Sequence, residues 1–455
     1  MIKMKNQKMK TKLVSLLLLC VLVFPLVGCL KKKFAVPYKM DLEIWGAFDD
    51  SGVFQASIEQ YKKYNPQIRN INYRKLSSNF NDYENQLLES LASGTAPDII
   101  YIKNTGLLKH KNKIVPMPGS EQYLRTFRDS FIDAAYQDFV DQNQIYAMPL
   151  YCDTLALYYN KRILNQAGIT APPRTWEELK QQTKLLTKID EYGNINQSAI
   201  ALGRAKTPGA INRAGDIFML MAMQRGADLN KGLNEPTAFD KNPGVSALQF
   251  FTDFSRGSSD LYTWNSKMDY SIDSFRYGKT AMMINYSYLK DRLQKISPTL
   301  QFDIAPVPQL NLSSQVNFPN YWGLAVTKNK NIPSLEFDKD ATYTNEDRIR
   351  ESWALVNYLT LKPTNQALTD PNKDYLNQTN KPAARKDLIE EQKNEEFRGI
   401  FARQALTAWS WRQPNEQDVD EILVDMIDSI NYGRADIQDA LDTAETRINV
   451  LKEAD

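Results

Sequence analysis

Leu91-Ala92-Ser93-Gly94-Thr95-Ala96-Pro97-Asp98-Ile99-Ile100-Tyr101-Ile102 reads as the end of a helix, a turn, and a strand covered on both faces. Gly94 can take the left-handed conformation that closes a helix, and Pro97 cannot extend one. The run from Ile99 to Ile102 lacks polar alternation, as expected where both sides of a sheet are buried. Upstream, Tyr83, Leu87, Leu88 and Leu91 share one helical face, and a strand lies near Ile71 and Tyr73. Before them, Val53, Phe54, Ile58 and Tyr61 recur at helical spacing until Asn65-Pro66, and Leu42-Glu43-Ile44-Trp45 alternates as a strand. Strand, helix, strand, helix, strand is the βαβ rhythm of a parallel sheet.

Downstream the rhythm returns, with a helix over 176–188 and strands over 281–285, 302–305 and 322–327. Two α/β lobes follow. Residues 307–320, rich in proline, asparagine and serine, read as a crossing segment or loop, and polar residues 328–347 as a surface insertion. Residues 419–452 carry two helical patterns broken at Tyr432-Gly433-Arg434, and no tandem repeat is present.

The 455 residues are 42% hydrophobic and 24% charged, which excludes disordered and fibrous chains and leaves room for more than one core. Lys3, Lys5, Lys8, Lys10 and Lys12 precede an apolar run from Leu13 to Leu26, the layout of a secretory signal. The run closes on Leu26-Val27-Gly28-Cys29, similar to a bacterial lipobox in which the cysteine becomes a lipid-bearing N-terminus. A retained single anchor is the alternative reading, but Pro25 and Gly28 suit cleavage better. A chain starting at Cys29 has three more acidic residues than basic ones, which is no footprint for nucleic acid.

With Cys20 in the signal and Cys29 lipidated, Cys152 stands by itself and no intramolecular disulfide is expected. His110, the one histidine, lies in the basic stretch Lys109-His110-Lys111. Both residues read as structural. A single histidine removes most His-ligated zinc sites and Ser/Cys-His mechanisms, so no metal, cofactor or catalytic residue is expected.

The ordered motifs resemble those of the family 1 extracellular solute-binding proteins, the maltose-binding-protein-like receptors of ABC importers. They are the 91–100 stretch, then Tyr146-Ala147-Met148-Pro149-Leu150-Tyr151-Cys152-Asp153-Thr154, then Pro172-Pro173-Arg174-Thr175-Trp176-Glu177-Glu178-Leu179. Further on come Phe275-Arg276-Tyr277-Gly278-Lys279-Thr280-Ala281-Met282-Met283-Ile284-Asn285, then Trp322-Gly323-Leu324-Ala325-Val326, and Pro382-Ala383-Ala384-Arg385. Locally, Gly94 and Gly278 can cap helices, and Thr175 with Glu178 can form a capping box.

The resemblance implies a two-lobed α/β periplasmic-binding-protein fold of type II. Each lobe would be a mostly parallel sheet with flanking helices, and ligand would bind in the cleft between lobes, which closes on a hinge. The implied organisation is a signal peptide (1–28), a tether (29–40), lobe 1 (41–150), lobe 2 (151–320), a return to lobe 1 (321–380) and C-terminal helices mainly on lobe 2 (381–455). The implied partners are a small solute, most simply a carbohydrate, the ABC permease, and membrane lipid through Cys29. The protein would act as a monomer outside the cytoplasmic membrane.

Ligand contacts are expected at the carboxyl ends of strands. Asp49 and Asp50 follow the first strand, Asn104 and Thr105 the Pro-Asp strand, Asp153 sits at the crossing, and Asn285, Tyr286 and Tyr288 follow the Ala281 strand. By resemblance, Asp153 would reach sugar hydroxyls and Tyr288 would stack on a ring. Trp409 and Trp411 would offer aromatic faces, and Arg412 could clamp a carboxylate or phosphate. Trp322 completes the set, and Trp45 is assigned to the core. The chain departs from the family pattern at Tyr286, where relatives often have glycine, and at Asn104-Thr105, where they have an acid. Two other classes remain open: a secreted glycoside hydrolase using Asp49, Asp50 and Asp153, and a surface adhesion or sensing protein on the same fold.

Overall fold

The computed structural model describes residues 39–229, 239, 242–328, 330, 343–365 and 368–454. The expected signal peptide, Cys29, most of the tether and most of the 328–347 insertion lie outside the described residues.

The first sheet runs in the order Ile68–Ser77, Met40–Ala47, Ile99–Lys103, Trp322–Thr327 and Ile114–Val115, with Met148–Pro149 also paired to Trp322–Thr327. The second runs Lys188–Ile189, Ile195–Ile200, Thr280–Asn285, Ala156–Asn160, Phe302–Pro306. Both are mixed, not mostly parallel as the βαβ rhythm predicts. Met40–Ala47 is parallel to both its neighbours, whereas Trp322–Thr327 returns from the other lobe and pairs antiparallel with Ile99–Lys103. In the second sheet Ala156–Asn160 is antiparallel to both its neighbours. Local rhythm reveals successive elements but not the direction of a strand that arrives by a long crossing.

Each sheet has its own apolar core. The first gathers Leu42, Ile44, Ile100, Ile102, Leu324 and Val326 under Trp353 and Leu359 of the helix Asn345–Thr360. The second gathers Leu157, Tyr158, Ile200, Met282 and Ile284 against the helices Ala214–Gln224 and Glu416–Asn431. The sequence AGDIFMLMAMQ of Ala214–Gln224 is apolar nearly all round, so most of its side chains are buried.

Asp98 of the Pro-Asp signature is 1% exposed and has a structural role. Its carboxylate accepts from the Glu43 backbone N–H at 2.8 Å and from Lys330 Nζ at 2.8 Å, and Arg348 lies 3.4 Å away. Arg348, itself 1% exposed, also donates to the Thr327 carbonyl at 2.7 Å, so one buried ionic cluster ties three strands to a helix. His110 is likewise structural. Its ring meets Glu84 at 3.1 Å, and together with Lys109 it holds the Glu84 carboxyl down to about 2 against the opposing effect of burial.

The Gly94 cap forms with φ 73°, and its N–H bonds the Ser90 carbonyl. Thr175 accepts from the Glu178 N–H at 3.1 Å, but Glu178 reaches back to the Arg174 N–H at 2.7 Å, one residue before the position a capping box requires.

Between the lobes, Asp153–Thr154 and Pro319–Asn320 form a two-stranded antiparallel pair, and Cys152 N–H bonds the Pro382 carbonyl at 3.0 Å. The segment from 381 starts on the first lobe and then goes mainly to the second. Ala383, Ala384, Leu388 and Ile389 join the first core, whereas Trp411, Val419 and the residues after them join the second. Its start is held on the first lobe by Arg385, 1% exposed, whose guanidinium grips Asp370 and lies 2.7 Å from Asp387, beside the helix Pro371–Thr379.

Candidate functional site

A cavity of about 470 Å³ opens between the sheets. A second, of about 750 Å³, shares Phe48, Ser78, Arg213, Asn320 and Trp322 with it, so the two are compartments of one cleft with those residues as its waist.

The waist is built from ring contacts. Trp322, 3% exposed, meets Phe48, Phe80 and Tyr83 edge-on with centroids 5.3, 5.6 and 5.7 Å away. Phe48, 37% exposed, holds a positive φ of 66° at the end of Met40–Ala47, a conformation that costs a non-glycine residue about 1 kcal/mol. On the facing lobe, Tyr286 donates to Asp216 at 2.9 Å, and the Arg213 guanidinium lies over the Tyr286 and Tyr288 rings at 5.5 and 5.9 Å.

Charges divide between the compartments. The first is lined by Lys103, Arg213, Asp216, Glu416 and Asp420. Lys103 pairs with Glu416, which also accepts from the Thr105 hydroxyl at 3.1 Å, and Arg213 faces Asp216 at 3.9 Å. Glu416 lies in the first turn of Glu416–Asn431, where the helix dipole favours an anion. Asp420 is exposed to the cleft, and crowding by the walls, then Asp216 and Glu416, lifts it to about 6. At Gly215 an added Cβ would stand 2.9 Å from the Asp420 Oδ1, so this position sets where that carboxylate rests.

Asp153 lines the second compartment with Tyr151, Ser287, Tyr288, Arg292 and Lys381. It accepts from the Ser287 hydroxyl at 2.7 Å and N–H at 3.0 Å, and from its neighbour Thr154 N–H at 2.8 Å. Burial nevertheless pushes Asp153 up to about 7.

Of the sequence candidates, Asn104, Thr105, Tyr286 and Trp322 line the first compartment, and Asp153, Tyr288 and Trp322 the second. The others are placed elsewhere. Asp49 lies behind the wall, receiving Lys381 Nζ at 2.6 Å and the Tyr101 and Tyr375 hydroxyls at 3.0 and 2.9 Å. Asp50 projects to solvent and pairs with Lys75 at 3.2 Å. Asn285, 1% exposed, donates to Asn212 at 2.8 Å. Trp411 is sealed in the second core, and Trp409, half-exposed, is not among the lining residues. Arg412 donates to the Gln137 carbonyl at 2.9 Å and pairs with Asp141 at 3.2 Å.

Sequence reading passed over Phe48, Phe80, Arg213, Asp216, Gln413, Glu416 and Asp420. Asn415, which accepts from the Gln417 N–H, is an N-cap signal that could have drawn attention to the Glu416 turn.

Two lobes on separate cores, joined by crossing strands over a polar and aromatic cleft, define a ligand-capture protein. The chain belongs to the bacterial extracellular solute-binding proteins, whose family model matches residues 47–366. It is 25% identical over 428 residues to the maltodextrin-binding protein MdxE of Bacillus subtilis, covering 89% of this chain and 90% of that one. A putative binding protein of Brucella abortus is 25% identical over 229 residues, 49% of this chain. The match spans about half of that relative, 52% of its length. The sugar-binding protein MalE of Xanthomonas citri shares the fold at a TM-score of 0.69 and 16% identity, with 91% of this chain and 98% of that one covered. The cyclic alpha-maltosyl-1,6-maltose binding protein of Arthrobacter globiformis does so at 0.67 and 19%, with 92% and 100% covered.

Proposed function

We propose that this protein captures a carbohydrate in the interlobe cleft by hinge closure and delivers it to an ABC permease, outside the cytoplasm and held to the membrane by lipid on Cys29. The observation that carries the reading is the waist, where Phe48 and Trp322 of one lobe face Arg213 of the other, with the half-exposed Tyr288 ring beside it. Aromatic faces suit the C–H faces of a pyranose, and carboxylates and amides suit its hydroxyls. Relatives described as maltodextrin-binding and maltotriose-binding proteins support the sugar class. The family description supports a place outside the cytoplasm. Binding without turnover is supported by Asp49 and Asp50 lying outside the cleft, which leaves Asp153 as the one of the three expected carboxylates inside it. Calorimetry of purified protein against maltodextrins, other oligosaccharides, peptides and polyamines tests this. Saturable binding of a saccharide without hydrolysis is the expected result, and binding of no sugar would sink it.

A further inference from the structure

The first compartment has an unbalanced charge. Of its five ionic groups, Lys103 is matched by Glu416 and Arg213 by Asp216. Asp420 has no hydrogen-bond or ion-pair partner among the described residues, although it opens to the cleft. A second observation is independent of the acids. Gln413, 7% exposed, lines the same compartment, and its side-chain carbonyl has no hydrogen-bond partner. The Asn104 amide nitrogen also lacks a partner of ordinary geometry, but it is turned toward Asp138. Asp420 and Gln413 share this lining with the accessible rings of Phe48 and Phe80. A carboxylate and a carbonyl among aromatic faces recognise a donor-rich cation better than a neutral hydroxyl.

We propose that the first compartment takes a protonated amino group on the saccharide, with Asp420 as its counter-ion, making the ligand an amino sugar. This rests on the sugar-capture reading above. The groups facing Asp420 are Arg213 and Asp216 from the helix start opposite, Glu416 from its own helix, and Lys103 from the strand end. The two flanking acids are each paired, so the ammonium is left to Asp420. Because the carboxyl titrates near 6, the attraction is present at neutral pH and lost in mild acid.

The test is calorimetry with a glucosamine trisaccharide and its fully N-acetylated counterpart at about pH 7 in low salt. The free amine is expected to bind about tenfold or more tighter, as close charge pairs at interfaces do. Asp420→Asn, checked for an unchanged melting temperature, should erase that preference. Lowering the wild-type protein to about pH 5 protonates Asp420 and should also erase the preference, and because Asp153 titrates over the same range the Asp420→Asn variant run at both pH values is the control, expected to show no preference at either. If the acetylated trisaccharide or neutral maltotriose binds as tightly as the amine, the proposal is overturned and sugar capture stands. If no saccharide binds at all, sugar capture itself fails, and this proposal with it.

Discussion

Lys381 Nζ lies 2.6 Å from Asp49 Oδ1 and 4.3 Å from the centre of the Tyr151 ring, so one buried ammonium ties the first strand's end to the segment beside the crossing. Asp49 is 7% exposed, and its other oxygen is taken by two tyrosine hydroxyls. Removing only the cation leaves a buried carboxylate without its counter-charge. Lys381→Met should cost about 3–5 kcal/mol in urea denaturation. The double variant Lys381→Met with Asp49→Asn should recover at least half of that, because no charge is then stranded. Equal loss in single and double variants would show that packing, not charge, holds this junction.

The pH dependence of stability should peak on the acid side of neutrality. Asp138 is pushed up to about 6 and Asp153 to about 7, both by burial. The unfolded chain releases these protons near the ordinary carboxylate value of 3.8, so between there and 7 the folded state holds more protons. Stability therefore falls as pH rises through that window, and the loss is complete above about 7. Glu84 acts oppositely: held down to about 2, it adds stability above 4.5 that disappears as pH falls through 2. Denaturation midpoints should fall between about pH 5 and 7 and level off above that, and a continuous rise to pH 8 would contradict this assignment.

The sequence made the βαβ opening legible because each element there is closed by its own local signal, such as Gly94 at a helix end or Pro97 before a strand. Five candidates, Asn104, Thr105, Asp153, Tyr286 and Tyr288, were found by the rule that strand ends face the cleft. Asp49 obeys the same rule yet turns inward, because Lys381 attracts it from more than three hundred residues away. Arg213 and Asp420 could not be read at all. Each is an ordinary surface-type charge, Arg213 just before one helix and Asp420 within another, and only the meeting of Ala214–Gln224 with Glu416–Asn431 turns them toward one cavity.

Phe48 should separate binding from stability. Its backbone is strained at φ 66° while its ring forms part of the cleft waist. Phe48→Gly relieves about 1 kcal/mol of strain and forfeits the edge contact with Trp322, also worth about 1 kcal/mol. Stability should change little, whereas saccharide affinity should fall about tenfold or more by calorimetry. A variant that melts much earlier yet binds normally would place the ring in the core and not in the site.

The Trp409-Ser410-Trp411-Arg412 segment should behave as structure. Trp409→Ala removes a half-exposed ring outside the cleft lining, so affinity should stay within about twofold. Arg412→Ala should instead destabilise by about 2 kcal/mol or more, since the guanidinium serves the Gln137 carbonyl and Asp141 together.

Gly215 gives the narrowest test of the first compartment. A methyl there would lie 2.9 Å from Asp420 Oδ1, and that oxygen is the end of a side chain free to move into the cleft. Alanine is also the better helix former, by about 1 kcal/mol. Gly215→Ala should therefore fold at least as well as the parent while displacing the carboxylate from its position between Asp216 and Glu416. Affinity should fall several-fold in calorimetry with the melting temperature held or raised. Unchanged affinity at raised stability would mean that the position of the Asp420 oxygen does not matter to the ligand.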